Sequence, residues 1–282
     1  MTPSPDEAPQ GLSAYRQARR YQWLILVANS IERARRLLVF LRCRKTRPIL
    51  VAQGDSWFCY PTHRILDILQ HLQGRHGYAV RTLAGASRTS QAMVTRRELR
   101  RLKQVVRCNR GGTVLLSAGG NDLIDILNAR SLRAPGAGRV FQEAEVGREA
   151  VPTTYLSKDL GPVLAAVTGN ILTLCDAALS AGAARVVLVG YDYLAALEKA
   201  GEVLLSLDRV SAPPSLHGAI SRALIDELVK AQQAAVDARA ELSYINLIGR
   251  TQPQADWYDE VHPNSEGFAS AAAFVAGRLP SL

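Results

Sequence analysis

From Pro48 onward the chain alternates short apolar runs with longer amphipathic stretches, and this alternation leaves few folds open to it. Residues 49–53, 78–83, 113–117, 185–190 and 243–248 are brief and mostly apolar, as strands covered on both faces are. Between them, residues 64–74, 90–106, 122–129, 158–181 and 216–240 carry helical patterns, and a last helix is expected over 265–276. Five strands alternating with helices predict an α/β protein, a five-stranded parallel sheet between two helical layers. Right-handed crossovers place the functional loops of such a sheet at the carboxyl ends of its strands. Two segments break the rhythm. Residues 134–152 are rich in glycine and mixed charge, and residues 194–214 end in Pro213-Pro214; both read as excursions of the kind that form lids or binding loops.

Ahead of Pro48 the pattern differs. Residues 1–14 read as a disordered lead and residues 15–47 as a basic helical extension of one domain spanning 48–282. Leu24, Val27, Ile31, Ala34, Leu38 and Leu41 recur at steps of three and four, which sets them on one helix face, with Arg33 and Arg36 opposite. Such a helix either packs its apolar stripe on the domain or rests as a basic amphipathic helix on an anionic membrane or a partner.

Charge is polarised in the same sense. The chain of 282 residues has a formal net charge of +9. Residues 1–47 carry 10 basic and 3 acidic side chains, residues 48–110 carry 11 and 3, and residues 111–282 carry 13 and 19. A basic protein first suggests nucleic acid. However, the basic residues lie along helices without interleaved aromatics and aromatic content is 6%, so no nucleic-acid partner is expected. The four cysteines, Cys43, Cys59, Cys108 and Cys175, form no CxxC pair, and four scattered thiols suit a reducing compartment. The first ten residues lack the positive region of a signal peptide, so a cytoplasmic protein, with a membrane-associated form open to it, is the expectation.

Four short segments carry chemistry. Gly54-Asp55-Ser56 follows the first strand, where a serine at a strand-to-helix turn exposes its hydroxyl above the sheet and its N–H can donate to an anion. Gly85, after the second strand, offers a bare N–H. Gly119-Gly120-Asn121-Asp122 follows the third strand; Asn121 could present its amide to a developing oxyanion, and Asp122 could cap the next helix. Asp259-Glu260-Val261-His262 sets a carboxylate three residues before a histidine, close enough to hold the imidazole in the tautomer that deprotonates a serine. Asn264 or Ser265 then caps the last helix. The other histidines, His63, His71, His76 and His217, have no acid at that spacing.

In the order Ser, Gly, Asn, Asp/His, these segments resemble those of the SGNH, or GDSL-type, hydrolase family, over about Pro48 to the C-terminus. The resemblance implies a flavodoxin-like three-layer fold and an ester hydrolase with Ser56 as nucleophile, His262 as general base and Asp259 as its orienter. It further implies oxyanion donors at the Ser56 N–H, the Gly85 N–H and the Asn121 side chain, with Gly54, Asp55 and Asp122 in support. No cofactor and no metal are expected. The substrate would be a small-molecule or lipid ester, an acyl lipid or an acetylated carbohydrate. Many members have Asn-x-Gly-x-x-Gly where this chain has Leu83-Ala84-Gly85-Ala86-Ser87-Arg88. That departure, with the polarised charge, keeps open a binding module of the same fold for an anionic lipid, glycan or protein. Arg88, if it faced the site, would bind a substrate anion. No Gly-x-Ser-x-Gly elbow occurs, which counts against an ordinary α/β-hydrolase.

Overall fold

The computed structural model describes residues 10–60, 65–109, 112–129, 140–194, 201–252 and 255–279, without the side chains of residues 10–26, 125–129 and 202. Residues 1–9 of the lead expected over 1–14, His63, and parts of both excursions (134–139 and 195–200) lie outside the described residues. The five expected strands are present as β1 (Ile49–Gln53), β2 (Ala79–Thr82), β3 (Thr113–Leu116), β4 (Arg185–Val189) and β5 (Leu242–Ile245). They form one sheet in the order β2-β1-β3-β4-β5, and every pairing is parallel. Val51, Ala52, Val114, Leu115, Val187 and Leu188 are buried on both faces of the central strands, which is why these runs lack the apolar–polar alternation of a half-exposed sheet.

The helices between the strands are α2 (Ile68–Gly74), α3 (Ser90–Met93), α4 (Arg96–Cys108), α5 (Gly120–Ala129), α6 (Leu160–Leu179), α7 (Glu202–Arg209) and α8 (His217–Asp237), with α9 (Ser265–Ala276) after β5. α2 packs with α9 on one face, and α6 packs with α3, α4 and α8 on the other. The expected helix over 90–106 is two helices, because Thr89 and Thr95 each adopt extended backbone at a helix start and Thr89 caps α3 by accepting from the Ala92 N–H. α7 was not anticipated; it lies inside the second excursion. Asn264 caps α9, accepting from the N–H groups of Glu266 and Gly267. All four cysteines are free thiols.

The remaining helix, α1 (Gln10–Cys43), precedes the sheet. It starts at Gln10, inside the stretch expected as a lead, and runs beside edge strand β2. Its inward face is the polar one. Asn29, Arg36 and Phe40 are buried, while Ile31, Leu38 and Leu41 of the apolar stripe are exposed. Specific polar contacts fix this setting. The Arg36 guanidinium donates to Glu32, to the Phe58 carbonyl and to the buried Asp67 carboxylate. Arg33 donates to the Ala84 and Leu83 carbonyls at 2.9 and 3.1 Å. Asn29 both accepts from the Ala86 N–H and donates to the Ala86 carbonyl.

β1 has β2 on one side and β3 on the other, so the sheet reverses its winding direction at β1. Crevices for ligands open at the carboxyl ends of the strands at such a switch. Residues Ser56 and Asn121 follow β1 and β3, and so stand on either side of it.

Candidate active site

Two features of the sheet place Ser56. The turn after β1 needs glycine at position 54, since a Cβ there would lie 3.0 Å from the Ser117 carbonyl oxygen and 2.9 Å from the Phe58 ring. Asp55, wholly buried, then organises the turn: its Oδ1 accepts from the Trp57 N–H at 3.1 Å and its main-chain carbonyl from the Phe58 and Cys59 N–H groups. Ser56 between them is held with its hydroxyl within reach of His262.

His262 arrives from the far end of the chain. The Asp259 Oδ1 accepts from the Val261 and His262 N–H groups at 3.0 and 2.8 Å, so the carboxylate folds its own tight turn. In that turn the His262 Nδ1–H lies 2.9 Å from both Asp259 oxygens, and the Ser56 hydroxyl donates to His262 Nε2 at 2.8 Å. The tautomer follows from these partners. Burial alone would raise the Asp259 pKa, but the hydrogen bond and charge of His262, with the Val261 and His262 N–H groups, outweigh it and hold the carboxyl below its usual value. It therefore stays ionised at neutral pH, where it can stabilise an imidazolium.

Three aromatic residues that the sequence did not mark brace this relay. The Tyr60 ring meets the His262 ring edge-on at 4.9 Å, and its hydroxyl reaches Asp259 Oδ2 at 3.4 Å. The Trp57 indole N–H donates to the Val261 carbonyl at 3.2 Å, tying the serine turn to the histidine turn. The Tyr191 hydroxyl donates to Asp55 Oδ2 at 2.5 Å and accepts from the Gly120 N–H at 3.1 Å, joining the Ser56 turn to the start of α5. Burial raises the Asp55 carboxyl to about 6 against the pull of the Tyr191 hydrogen bond.

The expected oxyanion donors fare unequally. Asn121 lines the cavity beside Ser56. Its Nδ2 donates one hydrogen to the Arg88 carbonyl at 3.3 Å, which leaves the second for a ligand. Gly119, with φ of +117° and a Cβ position 3.0 Å from Val167, admits no side chain in the turn that presents Asn121. Gly85 is a correction. Its N–H donates to the Gly54 carbonyl at 3.0 Å, one step beyond the Leu83 N–H on the Ala52 carbonyl, so the β1–β2 ladder continues past the strands and consumes this donor. Arg88 also turns away from the site, to the Leu83 carbonyl and Glu98. Asp122 does not cap α5; it accepts from the Ser90 N–H and hydroxyl at 2.8 and 2.7 Å, fastening the second turn to the third.

Two further carboxylates hold the surroundings. Glu260, within the histidine motif, is buried and accepts from the Val203 and Leu204 N–H groups at 3.1 and 2.6 Å, at the start of α7. Asp192, past β4, is buried and takes three main-chain N–H groups of residues 249–251, the Thr251 hydroxyl and the Tyr193 N–H.

Ser56 and His262 open on a cavity continuous with solvent, whose walls are largely aliphatic: Leu123, Leu194, Val203, Leu224, Ile225 and Leu228 among them. Among the described residues no cluster of His, Cys, Asp and Glu is arranged to hold a metal ion.

The chain is similar to several solved structures. A protein from Streptococcus pneumonia, provisionally described as a platelet activating factor, matches 95% of this chain and 99% of its own at 13% identity, with a TM-score of 0.53. A Desulfitobacterium hafniense DCB-2 protein, provisionally described as a lipolytic protein of the G-D-S-L family, matches over 82% and 99% at 14% identity and a TM-score of 0.49. An acetylxylan esterase from Geobacillus stearothermophilus matches over 83% and 95% at 13% identity and a TM-score of 0.40. No protein-family model and no curated protein matches the sequence. The chain has a three-layer α/β fold, a five-stranded parallel sheet between helices, and shares its overall course with the Streptococcus protein.

Proposed function

We propose that the protein is a carboxylic ester hydrolase acting through an acyl-enzyme on Ser56. The observation that carries this reading is the unbroken relay from Asp259 through His262 to Ser56, with the serine hydroxyl 2.8 Å from the imidazole nitrogen at the mouth of the aliphatic cavity. Ser56 Oγ attacks the ester carbonyl as His262 Nε2 takes its proton, giving a tetrahedral intermediate. The imidazolium returns that proton to the departing alkoxide, and the alcohol leaves. Water, deprotonated by His262, then attacks the acyl-serine; the proton goes back to Ser56 Oγ and a carboxylic acid is released. The Ser56 N–H and the second Asn121 amide hydrogen are the donors assigned to the oxyanion.

The aliphatic walls favour a substrate with an extended apolar acyl chain over an acetyl ester of a carbohydrate, since a polar sugar gains nothing from leucine and isoleucine side chains. Hydrolysis of p-nitrophenyl acetate and p-nitrophenyl octanoate by the protein and its Ser56→Ala variant tests both statements. The expected result is turnover lost in the variant and a higher kcat/KM for octanoate. Equal rates for the two proteins would overturn the mechanism, and a preference for acetate would overturn the acyl assignment.

One observation favours the second reading, a module of the same fold that holds an anionic lipid, glycan or protein with little turnover: the Gly85 N–H is already committed, which leaves fewer oxyanion donors. A fluorophosphonate probe separates the two readings without knowledge of the substrate. Labelling at Ser56 supports the hydrolase; an unlabelled Ser56 supports the module.

A further inference from the structure

α1 turns outward the face that its sequence makes apolar. Ile31, Leu38 and Leu41 are 64%, 59% and 45% exposed, and Ala34 between them is exposed as well. The helix cannot simply roll to hide this stripe. Asn29, Arg33 and Arg36 hold the opposite face through their hydrogen bonds to Ala86, Ala84, Leu83, Phe58 and Asp67, and a half-turn would strand the buried Asp67 carboxylate. Three large aliphatic side chains aligned on one helix face are therefore a fixed feature of the surface, and a contiguous apolar surface of this kind marks an interaction site.

The rim of the stripe tells what covers it. Arg35, Arg42, Arg44 and Lys45 are exposed around it. The single acid of α1, Glu32, is largely covered, accepting from Arg36 and Gln70 and lying 3.7 Å from the Arg35 guanidinium. The outward side of residues 27–47 thus combines aliphatic side chains with cations and no exposed carboxylate. A second copy packed face to face on the same stripe would set these cations against their own mates. A nucleic acid would meet the cations but would leave the leucines and isoleucine nothing to enter. An anionic bilayer takes both, phosphates to the cations and acyl boundary to the stripe. We propose that the outer face of α1 docks the protein on an anionic phospholipid membrane.

Docking is independent of turnover, so Ser56→Ala protein serves as well as the parent and leaves the lipid intact. Co-sedimentation with vesicles of phosphatidylcholine containing about 30% phosphatidylserine, and with phosphatidylcholine alone, is the test. The full chain is used throughout, because removing α1 would also remove Arg33 and Arg36 from the domain. The protein is expected to pellet with the anionic vesicles, to remain in solution with the neutral ones, and to be released as salt rises from about 0.1 to about 0.5 M. Replacing Ile31, Leu38 and Leu41 together by serine, at positions that face solvent, should lower partitioning about tenfold or more. Arg35→Glu, Arg42→Glu and Lys45→Glu in one chain should abolish the preference for anionic lipid. Circular dichroism of each variant checks that the fold is intact. Parent protein left in the supernatant, or a serine variant that pellets as the parent does, would overturn the proposal. So would a parent that is dimeric in solution and a serine variant that is monomeric, since the stripe would then be covered by a second copy.

Discussion

Replacing Tyr191 by phenylalanine removes one hydroxyl from the middle of the site and has a consequence that depends on pH in a way no packing defect would. The ring that meets Trp57 edge-on at 5.2 Å remains. What goes is the hydrogen bond to Asp55 Oδ2 and the acceptor for the Gly120 N–H. Asp55 titrates near 6 in the folded protein against an ordinary 3.8. Between those values the folded state keeps a proton that the unfolded chain has lost, so stability falls as pH rises from about 4 to about 6, by roughly 3 kcal/mol for this group, and then levels. A hydrogen bond to a buried carboxylate contributes about 1.5–3 kcal/mol, so its loss should push Asp55 up by a further one to two pH units, roughly. The decline in stability then extends to about pH 7–8 in the variant. The stranded Gly120 N–H costs the same at any pH and cancels in the comparison. Urea unfolding of both proteins at about pH 5 and about pH 8.5 should show a destabilisation larger at the higher pH by about 1.5–3 kcal/mol. A destabilisation equal at the two pH values would refute the claim that Tyr191 sustains the ionised form of a buried Asp55.

Two further outcomes follow from the contacts described. Arg36→Met leaves Asp67 buried with only the Tyr60 and Gln70 N–H groups to face it, and should cost about 3–5 kcal/mol in urea unfolding; a loss under about 1 kcal/mol would mean that α1 is not anchored through this pair. Asn121→Ala should lower kcat on p-nitrophenyl octanoate by about 10²–10³ with little change in KM, the sign of a donor used mainly in the transition state. A loss confined to KM would move Asn121 from oxyanion donor to substrate binding.

The sheet was legible because its strands are buried on both faces. Nothing but a run of Val, Leu and Ile survives in that environment, and β1 falls on the expected residues 49–53. The relay was legible because each member sits just past a strand or inside a four-residue turn, so local spacing carried the geometry. The rest depends on elements distant in sequence. Tyr191 becomes a partner of Asp55 only once β4 is laid beside β3, 136 residues away along the chain. The Gly85 N–H is consumed by a ladder register that no local pattern reveals. The sequence left the facing of α1 open between the domain and the outside, for a physical reason. Periodicity reports which face is apolar, but the polar contacts of three residues, Asn29, Arg33 and Arg36, decided which face turned inward. Glu260 stood inside the motif that was singled out, yet its role required α7, whose existence in the second excursion had no sequence signal strong enough to place it.

That glutamate joins two parts of the site into one mechanical unit. Val203 forms part of the cavity wall, and its N–H is held by Glu260, which sits between Asp259 and His262 in the chain. Swinging α7 outward to admit a bulkier acyl group would pull the carboxylate with it or break its hydrogen bonds to Val203 and Leu204. In the first case the imidazole shifts away from Ser56; in the second a buried charge loses two donors. The width of the wall at Val203 and the placement of the His262 ring are therefore coupled through one carboxylate, so neither can shift far without straining the other.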